Sequence, residues 1–269
     1  EPDAVIGHSM GEVTAAVVAG ALSAVDGIRV IATRSRLMSA LSGQGAMALL
    51  ELSAAAAEEL IADYPGTTVA VYASPQQTVI AGPPEQVDAA IAAVDAQGRL
   101  ARRVEVDVAS HHPTIDPILP ELRSALADLA PRTPTIPVLS TTGDAGAEPA
   151  FDADHWVANL RNPVRFSQAV AGAGARHGTF VEISPHPLLT HAIAESLAAA
   201  ESAARTMGTV TRDSDETVSF RTQLAAIRPT DGAGRLVDLP PTPWLHSPFW
   251  AARRGASPAP AGSHPLLGL

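Results

Sequence analysis

The stretch Ala4-Val5-Ile6-Gly7-His8-Ser9-Met10-Gly11-Glu12 decides the fold. Ala4 to Ile6 are apolar and read as the end of a buried strand. From Glu12 to Leu22 the chain is rich in alanine and valine and reads as a helix. Between them lies G-x-S-x-G, with Gly7 and Gly11 on either side of Ser9. Glycine permits close backbone approach and unusual φ/ψ. The spacing therefore predicts a sharp strand-to-helix turn with Ser9 at its tip, the geometry of a nucleophile elbow. The helix behind it would aim its N-terminal N–H groups and positive dipole end at the hydroxyl and at any oxyanion formed there.

The chain around this turn has 269 residues, enough for one large domain or two small ones. Hydrophobic residues make up 46% and charged ones 17%, which supports a sizeable core. Few aromatics beside abundant alanine point to a helix-rich α/β protein. A net charge of −10 supplies no basic stripe and argues against nucleic acid. With no cysteine, disulfides and thiolate metal sites are excluded. Nothing reads as a signal peptide or a membrane span, so a cytoplasmic location is expected.

The helix over residues 23–42 carries the next clue. Ser23 is placed to cap it, with Asp26 at the third helical position. At 100° per residue, Val30, Ile31, Leu37, Met38 and Leu41 share one apolar face, and Arg34 projects from its middle. Arg29 and Arg36 point the other way. A guanidinium on a buried stripe stays charged and must be paired. Its partner is either an internal carboxylate or the carboxylate of a substrate held bidentately.

Residues 46–106 change rhythm. Ala46–Glu51, Thr67–Tyr72, Thr78–Ala81 and Leu100–Val106 read as strands, and Ala54–Ala62 and Pro84–Gln97 as helices. The order is βαββαβ, the ferredoxin-like pattern, expected as a small subdomain inserted into a larger α/β body with a parallel sheet. The larger body resumes with a helix from about Ile115 to Leu129, with Pro117 and Pro120 in its first turns, where proline is tolerated. Strands at 136–141 and 179–184 follow, with helices over "DADHWVANLRN", Val164–His177 and "LLTHAIAESLAAA". A strand in "TMGTV" and a helix at 215–227 complete it. The tail holds Trp244 and Trp250 in a proline-rich extended segment that is expected to pack on something. "ASPAPAG" then reads as a linker.

Ser9 needs a base. Of nine histidines, His8 diverges from Ser9 on an elbow, His246 and His264 lie in the tail, and His155, His177 and His191 read as helical surface or packing residues. His111, His112 and His186 remain, each in a loop after a strand, where the catalytic groups of α/β folds collect.

These motifs together resemble a known family. "GHSMGE", Arg34, "VASH" ending at His111, and "EISPHPLLTHA" are similar to the acyltransferase domains of type I polyketide synthases, most closely the mycobacterial mycocerosic-acid-synthase type. The resemblance implies that Ser9 is acylated and that His111 is its general base. It implies that a backbone carbonyl orients His111, a part assigned to the turn Ser184-Pro185-His186. The Met10 backbone N–H would donate to the oxyanion, and Arg34 would bind the free carboxylate of a malonyl-type unit. His8, Val108 and Ser110 would contact substrate. Ser110, where a bulky phenylalanine goes with malonyl units, points to methylmalonyl. Val108 stands where tyrosine is frequent, Met10 where glutamine is commoner, and Ala73 where asparagine is frequent.

The implied reaction takes the acyl group from acyl-CoA and gives it to the phosphopantetheine thiol of an acyl carrier protein, with no bound cofactor and no metal. The implied layout is a hydrolase-like large body over 1–45 and 107–230, whose upstream flanking strands precede Glu1, with the ferredoxin-like unit at 46–106. A post-acyltransferase linker would span 231–263, and 264–269 would open a dehydratase-like domain. Ketosynthase and dehydratase domains would be neighbours in one polypeptide. The alternatives are a malonyl-CoA:carrier-protein transacylase of fatty-acid synthesis, a serine esterase of the α/β-hydrolase fold, and a non-catalytic truncated module. The linker and "HPLLGL" argue against the first. Arg34 on an apolar face argues against the second.

Overall fold

Strand β1 (Val5–Ile6) runs into the turn at Ser9, and helix α1 (Gly11–Val18) leaves it. This computed structural model describes residues 1–143 and 148–227. Both tail tryptophans, the 231–263 segment and residues 264–269 lie outside the described residues. Helix α2 (Ala24–Met38) starts at Ser23, whose side chain accepts from the Asp26 N–H. A 3₁₀ turn, Ser39–Leu41, closes it. Val30, Leu37 and Arg34 are buried, while Arg29 and Arg36 reach outward to Asp128 and Glu121. The predicted face is therefore the observed one.

Next come β2 (Ala46–Leu50), α3 (Ala54–Ile61), β3 (Thr68–Ser74), β4 (Gln77–Gly82), α4 (Pro84–Asp95) and β5 (Ala101–Arg103). The strands form one sheet in the order β3-β4-β2-β5, every neighbouring pair antiparallel. Ala48, Leu50, Ile80, Val87 and Val94 make its core against the two helices. Strand β5 is shorter than expected and pairs only with Ala48 to Leu50.

A 3₁₀ segment, Pro113–Ile118, and helix α5 (Leu119–Ala125) occupy the span where one helix from Ile115 to Leu129 was expected. In a helix starting at Ile115 the Pro120 N–H would be needed and is missing, so the α-helix begins only at Leu119, with Pro120 in its first turn. Strand β6 (Val138–Leu139) pairs in parallel with β1. Helices α6 (Ala153–Arg161) and α7 (Phe166–Gly174), strand β7 (Thr179–Glu182), helix α8 (Thr190–Ala199), strand β8 (Arg205–Gly208) and helix α9 (Glu216–Ile227) follow. Strands β7 and β8 pair in parallel. His177 falls beyond α7 rather than within it.

Two further clusters flank the elbow. One joins Val13, Val30 and Leu37 to Ile115, Leu122, Trp156 and Leu160. The other joins Ala70, Val71 and Ala109 to Val164, Phe166, Val170, Ile193 and Leu197. Val164 donates its N–H to Ala70 O, and Tyr72 donates to Val164 O, both at 2.9 Å. The loop after α6 is thereby tied to β3.

Candidate active site

The turn at Ser9 owes its sharpness to the serine itself. Ser9 has φ 52°, in the left-handed region that costs an L-residue energy. The flanking glycines play different parts. A Cβ on Gly7 would lie 2.1 Å from the Glu12 Cα, whereas one on Gly11 would meet nothing within 4 Å. Gly7 is thus required by close approach, and Gly11 simply begins α1. Gly11 N donates to His8 O, and Glu12 N to Ser9 O, at 2.9 and 3.0 Å. Among the described residues, no acceptor takes the Met10 N–H at the mouth of the helix.

Ser9 Oγ lies 2.8 Å from His111 Nε2. His111 Nδ1 lies 2.8 Å from Asn162 O. A carbonyl can only accept, so Nδ1 carries the proton and Nε2 keeps its lone pair for the serine hydroxyl. His111 also has a left-handed φ, 60°, and its N–H donates to Leu160 O at 3.0 Å. The C-terminal end of α6 therefore grips both its backbone and its ring. Burial, with the Arg34 charge second, lowers the His111 pKa to about 4.

The orienting carbonyl is a correction. It comes from Asn162, not from Ser184-Pro185-His186. In that turn Ser184 Oγ donates to His186 O at 2.7 Å, and His186 Nδ1 accepts from Arg212 N at 3.2 Å. The physical reason lies in Pro163, which follows Asn162. A residue before proline is pushed to extended backbone, and Asn162 has φ −85° and ψ 155°. That ψ turns its carbonyl off the helix axis, toward the imidazole.

Arg34 is 7% exposed. Its Nη1 donates to Asn159 Oδ1 at 3.2 Å, and its Nη2 reaches Ser9 Oγ at 3.5 Å. Among the described residues it has no carboxylate partner. Burial alone lowers its pKa to about 10, still fully protonated at neutral pH. Beneath it lies Glu12, 0% exposed. Burial would raise the Glu12 pKa, but hydrogen bonds from His155, Ser140 and Thr141 outweigh it and hold the carboxyl below its ordinary value.

The remaining expected residues divide. Ser110 is buried beside His111. The His8 ring packs edge-on against Phe166 with centroids 5.2 Å apart, and burial lowers its pKa. Val108 belongs to the core cluster around α1 and α2. His112 turns away, its Nε2 2.9 Å from Gly66 O. Ser184 to His186 stand outside this hydrogen-bonded group.

The sequence reading missed Glu12, Asn159, Asn162 and His155. Asn159 did carry a signal. It sits with Trp156 and Leu160 on the buried face of α6, a polar side chain on an apolar stripe, as Arg34 is on α2.

This elbow, its histidine and the buried arginine belong to a defined class. Residues 1–233 match the acyl transferase domain family, and the chain belongs to it. Among its relatives is a phenolphthiocerol/phthiocerol polyketide synthase polypeptide of Mycobacterium tuberculosis, 66% identical over 99% of this chain and 15% of the relative. Another polypeptide of the same synthase and organism is 52% identical over 99% of this chain and 19% of its own length. The chain thus spans less than a fifth of these curated relatives. The acyltransferase domain of phenolphthiocerol/phthiocerol synthase A from Mycobacterium bovis (BCG) superposes with TM-score 0.76 at 57% identity, covering 79% of this chain and 83% of that one. The malonyl CoA-acyl carrier protein transacylase of Coxiella burnetii superposes with TM-score 0.72 at 25% identity, covering 84% and 71%.

Proposed function

We propose that this chain is the acyltransferase domain of a polyketide synthase, which loads a malonyl-type unit from CoA and passes it to an acyl-carrier-protein phosphopantetheine thiol. One observation carries the substrate class: a buried guanidinium, without a carboxylate partner among the described residues, 3.5 Å from Ser9 Oγ. A cation so close to the nucleophile suits an acyl group whose free carboxylate lies one carbon beyond the reacting carbonyl.

In the first half-reaction Ser9 Oγ gives its proton to His111 Nε2 and attacks the thioester carbonyl. The oxyanion forms near the Met10 N–H. As the C–S bond breaks, His111 returns the proton to the departing CoA sulfur, leaving acyl-Ser9. In the second half the carrier thiol gives its proton to His111, and its sulfur attacks the acyl-serine. The C–Oγ bond breaks, and the proton returns to Ser9. His8 and Ser110 are the substrate-contacting positions beside this path.

The chain is read as a hydrolase-like body, 1–45 and 107–230, carrying a ferredoxin-like insert at 46–106. The antiparallel four-stranded sheet supports the latter. Ketosynthase and dehydratase neighbours and a cytoplasmic setting go with the polyketide-synthase reading. Among the described residues no helix is long and apolar enough to cross a membrane.

Arg34→Ala tests the substrate class in the full-length protein. A lost charge-assisted pair is worth about 1.5–3 kcal/mol, so the malonyl-to-acetyl loading ratio should fall by about one to two decades. An unchanged ratio with a lower melting temperature would make Arg34 structural. For the extender unit, Ser110 leaves room for an α-methyl group, whose burial contributes about 0.8 kcal/mol. Competition between the two CoA thioesters at equal concentration should favour methylmalonyl, and Ser110→Phe should shift loading to malonyl. A malonyl preference in the unmodified protein contradicts this.

A further inference from the structure

Arg34 raises a question that its burial sharpens. A buried carboxylate, Glu12, lies one side chain away from it, yet the two do not touch. The side chain of Asn159, only 3% exposed, stands between them. Arginine only donates, so the amide must turn its oxygen to Arg34 and its nitrogen the other way. That nitrogen donates to Ser9 O at 3.3 Å, Thr142 Oγ1 at 3.1 Å and Glu12 Oε2 at 3.5 Å. One amide thus joins the cation, the elbow backbone and the buried anion. Glu12 is held from the far side by His155 Nε2 at 3.1 Å and the Thr141 N–H at 3.2 Å.

We propose that Asn159 is a positioning residue that holds Arg34 toward Ser9 and separates it from Glu12, so that its remaining donors stay available to the free carboxylate of the acyl group. A direct Arg34–Glu12 pair would neutralise the guanidinium and occupy those donors. The amide avoids this because its two ends suit opposite charges: the oxygen faces the cation and the N–H faces the anion. It also ties the arginine to the Ser9 carbonyl, so the carboxylate anchor and the nucleophile move as one unit. This rests on the acyl-transfer reading above and adds the residue that sets its selectivity.

The test is Asn159→Asp in the full-length protein, loaded separately with malonyl-CoA and acetyl-CoA and read by mass spectrometry. The substitution would place a carboxylate against Arg34 and compete with the substrate's. The malonyl-to-acetyl ratio should fall by about tenfold to a hundredfold, the scale of losing one charge-assisted interaction. The malonyl KM should rise by more than the acetyl KM does, since only the malonyl carboxylate uses the Arg34 donors. Because the ratio compares two loadings of the same folded molecules, partial unfolding does not move it. Should Asn159→Asp not fold, Asn159→Ala gives the same readout, with the malonyl-to-acetyl ratio lowered about tenfold. A preserved ratio in the variant, with the unmodified protein loading malonyl in an Arg34-dependent way, overturns this inference alone. An unmodified protein that loads no carboxylated unit overturns the reading of the site and this inference with it.

Discussion

His111 is held at φ 60°, a conformation that costs most residues of order 1–3 kcal/mol. It persists because α6 takes both its N–H and its ring N–H. With its pKa lowered to about 4, the imidazole is neutral and able to accept a proton well below neutral pH. Burial and Arg34 both disfavour the imidazolium, so protonating it requires a lower pH than usual. Rapid-quench acylation of Ser9 should therefore stay level down to about pH 5 and lose half its rate near pH 4, against the ordinary histidine value of about 6.5. An acid limb near 6.5 would contradict the buried setting. His111→Ala should slow acylation by about 10²–10⁴-fold, while His112→Ala should not, because that ring bonds Gly66 O instead. Ser9 and Arg34 stood out in the sequence because each violates an expectation: a serine between glycines, a cation on an apolar stripe. His111 was one of three loop histidines, and only the family resemblance singled it out. Asn162 was not legible, because its contribution is a carbonyl that every residue owns. Only the proline after it marks where that carbonyl turns.

The elbow shows what an element demands of its residues. A Cβ at Gly7 would overlap the backbone of Glu12, while one at Gly11 would stand in open space. Gly7→Ala should therefore lower the melting temperature, through a cost of about 2 kcal/mol or more, and reduce Ser9 acylation. Gly11→Ala should leave both nearly unchanged, since it also improves helix propensity. Equal effects of the two, in a thermal melt and an acylation assay, would contradict the geometry. The sequence pattern showed two glycines as equals, and only the approach of α1 to the turn separates them. The regular elements were legible from periodicity. The helix expected over Ile115–Leu129 was not: both prolines read as tolerated in its first turns, yet a helix starting at Ile115 would need the missing Pro120 N–H, and α5 begins only at Leu119. Val5 and Ile6, read as buried, are half-buried here, with β6 as the partner strand.

At the scale of the molecule, the chain just before the His111 turn passes from one core cluster to another. Ala109, just before the His111 turn, sits in the cluster with Val164 and Phe166. Val108 sits in the cluster with Val13 and Trp156. The histidine loop is thereby clamped between them, which keeps its ring within reach of an elbow built more than a hundred residues earlier in the chain. The family was legible at this scale because its motifs recur in order along the chain. The network of Glu12, Asn159 and His155 was not, since it is assembled from distant segments, each bland alone. The most direct measurement is mass spectrometry of the full-length protein after a brief incubation with malonyl-CoA or methylmalonyl-CoA, with peptide mapping. The acyl group should map to Ser9 and be absent from Ser9→Ala, and added carrier protein should remove it. An acyl group on another residue, or labelling that survives in Ser9→Ala, would contradict the account.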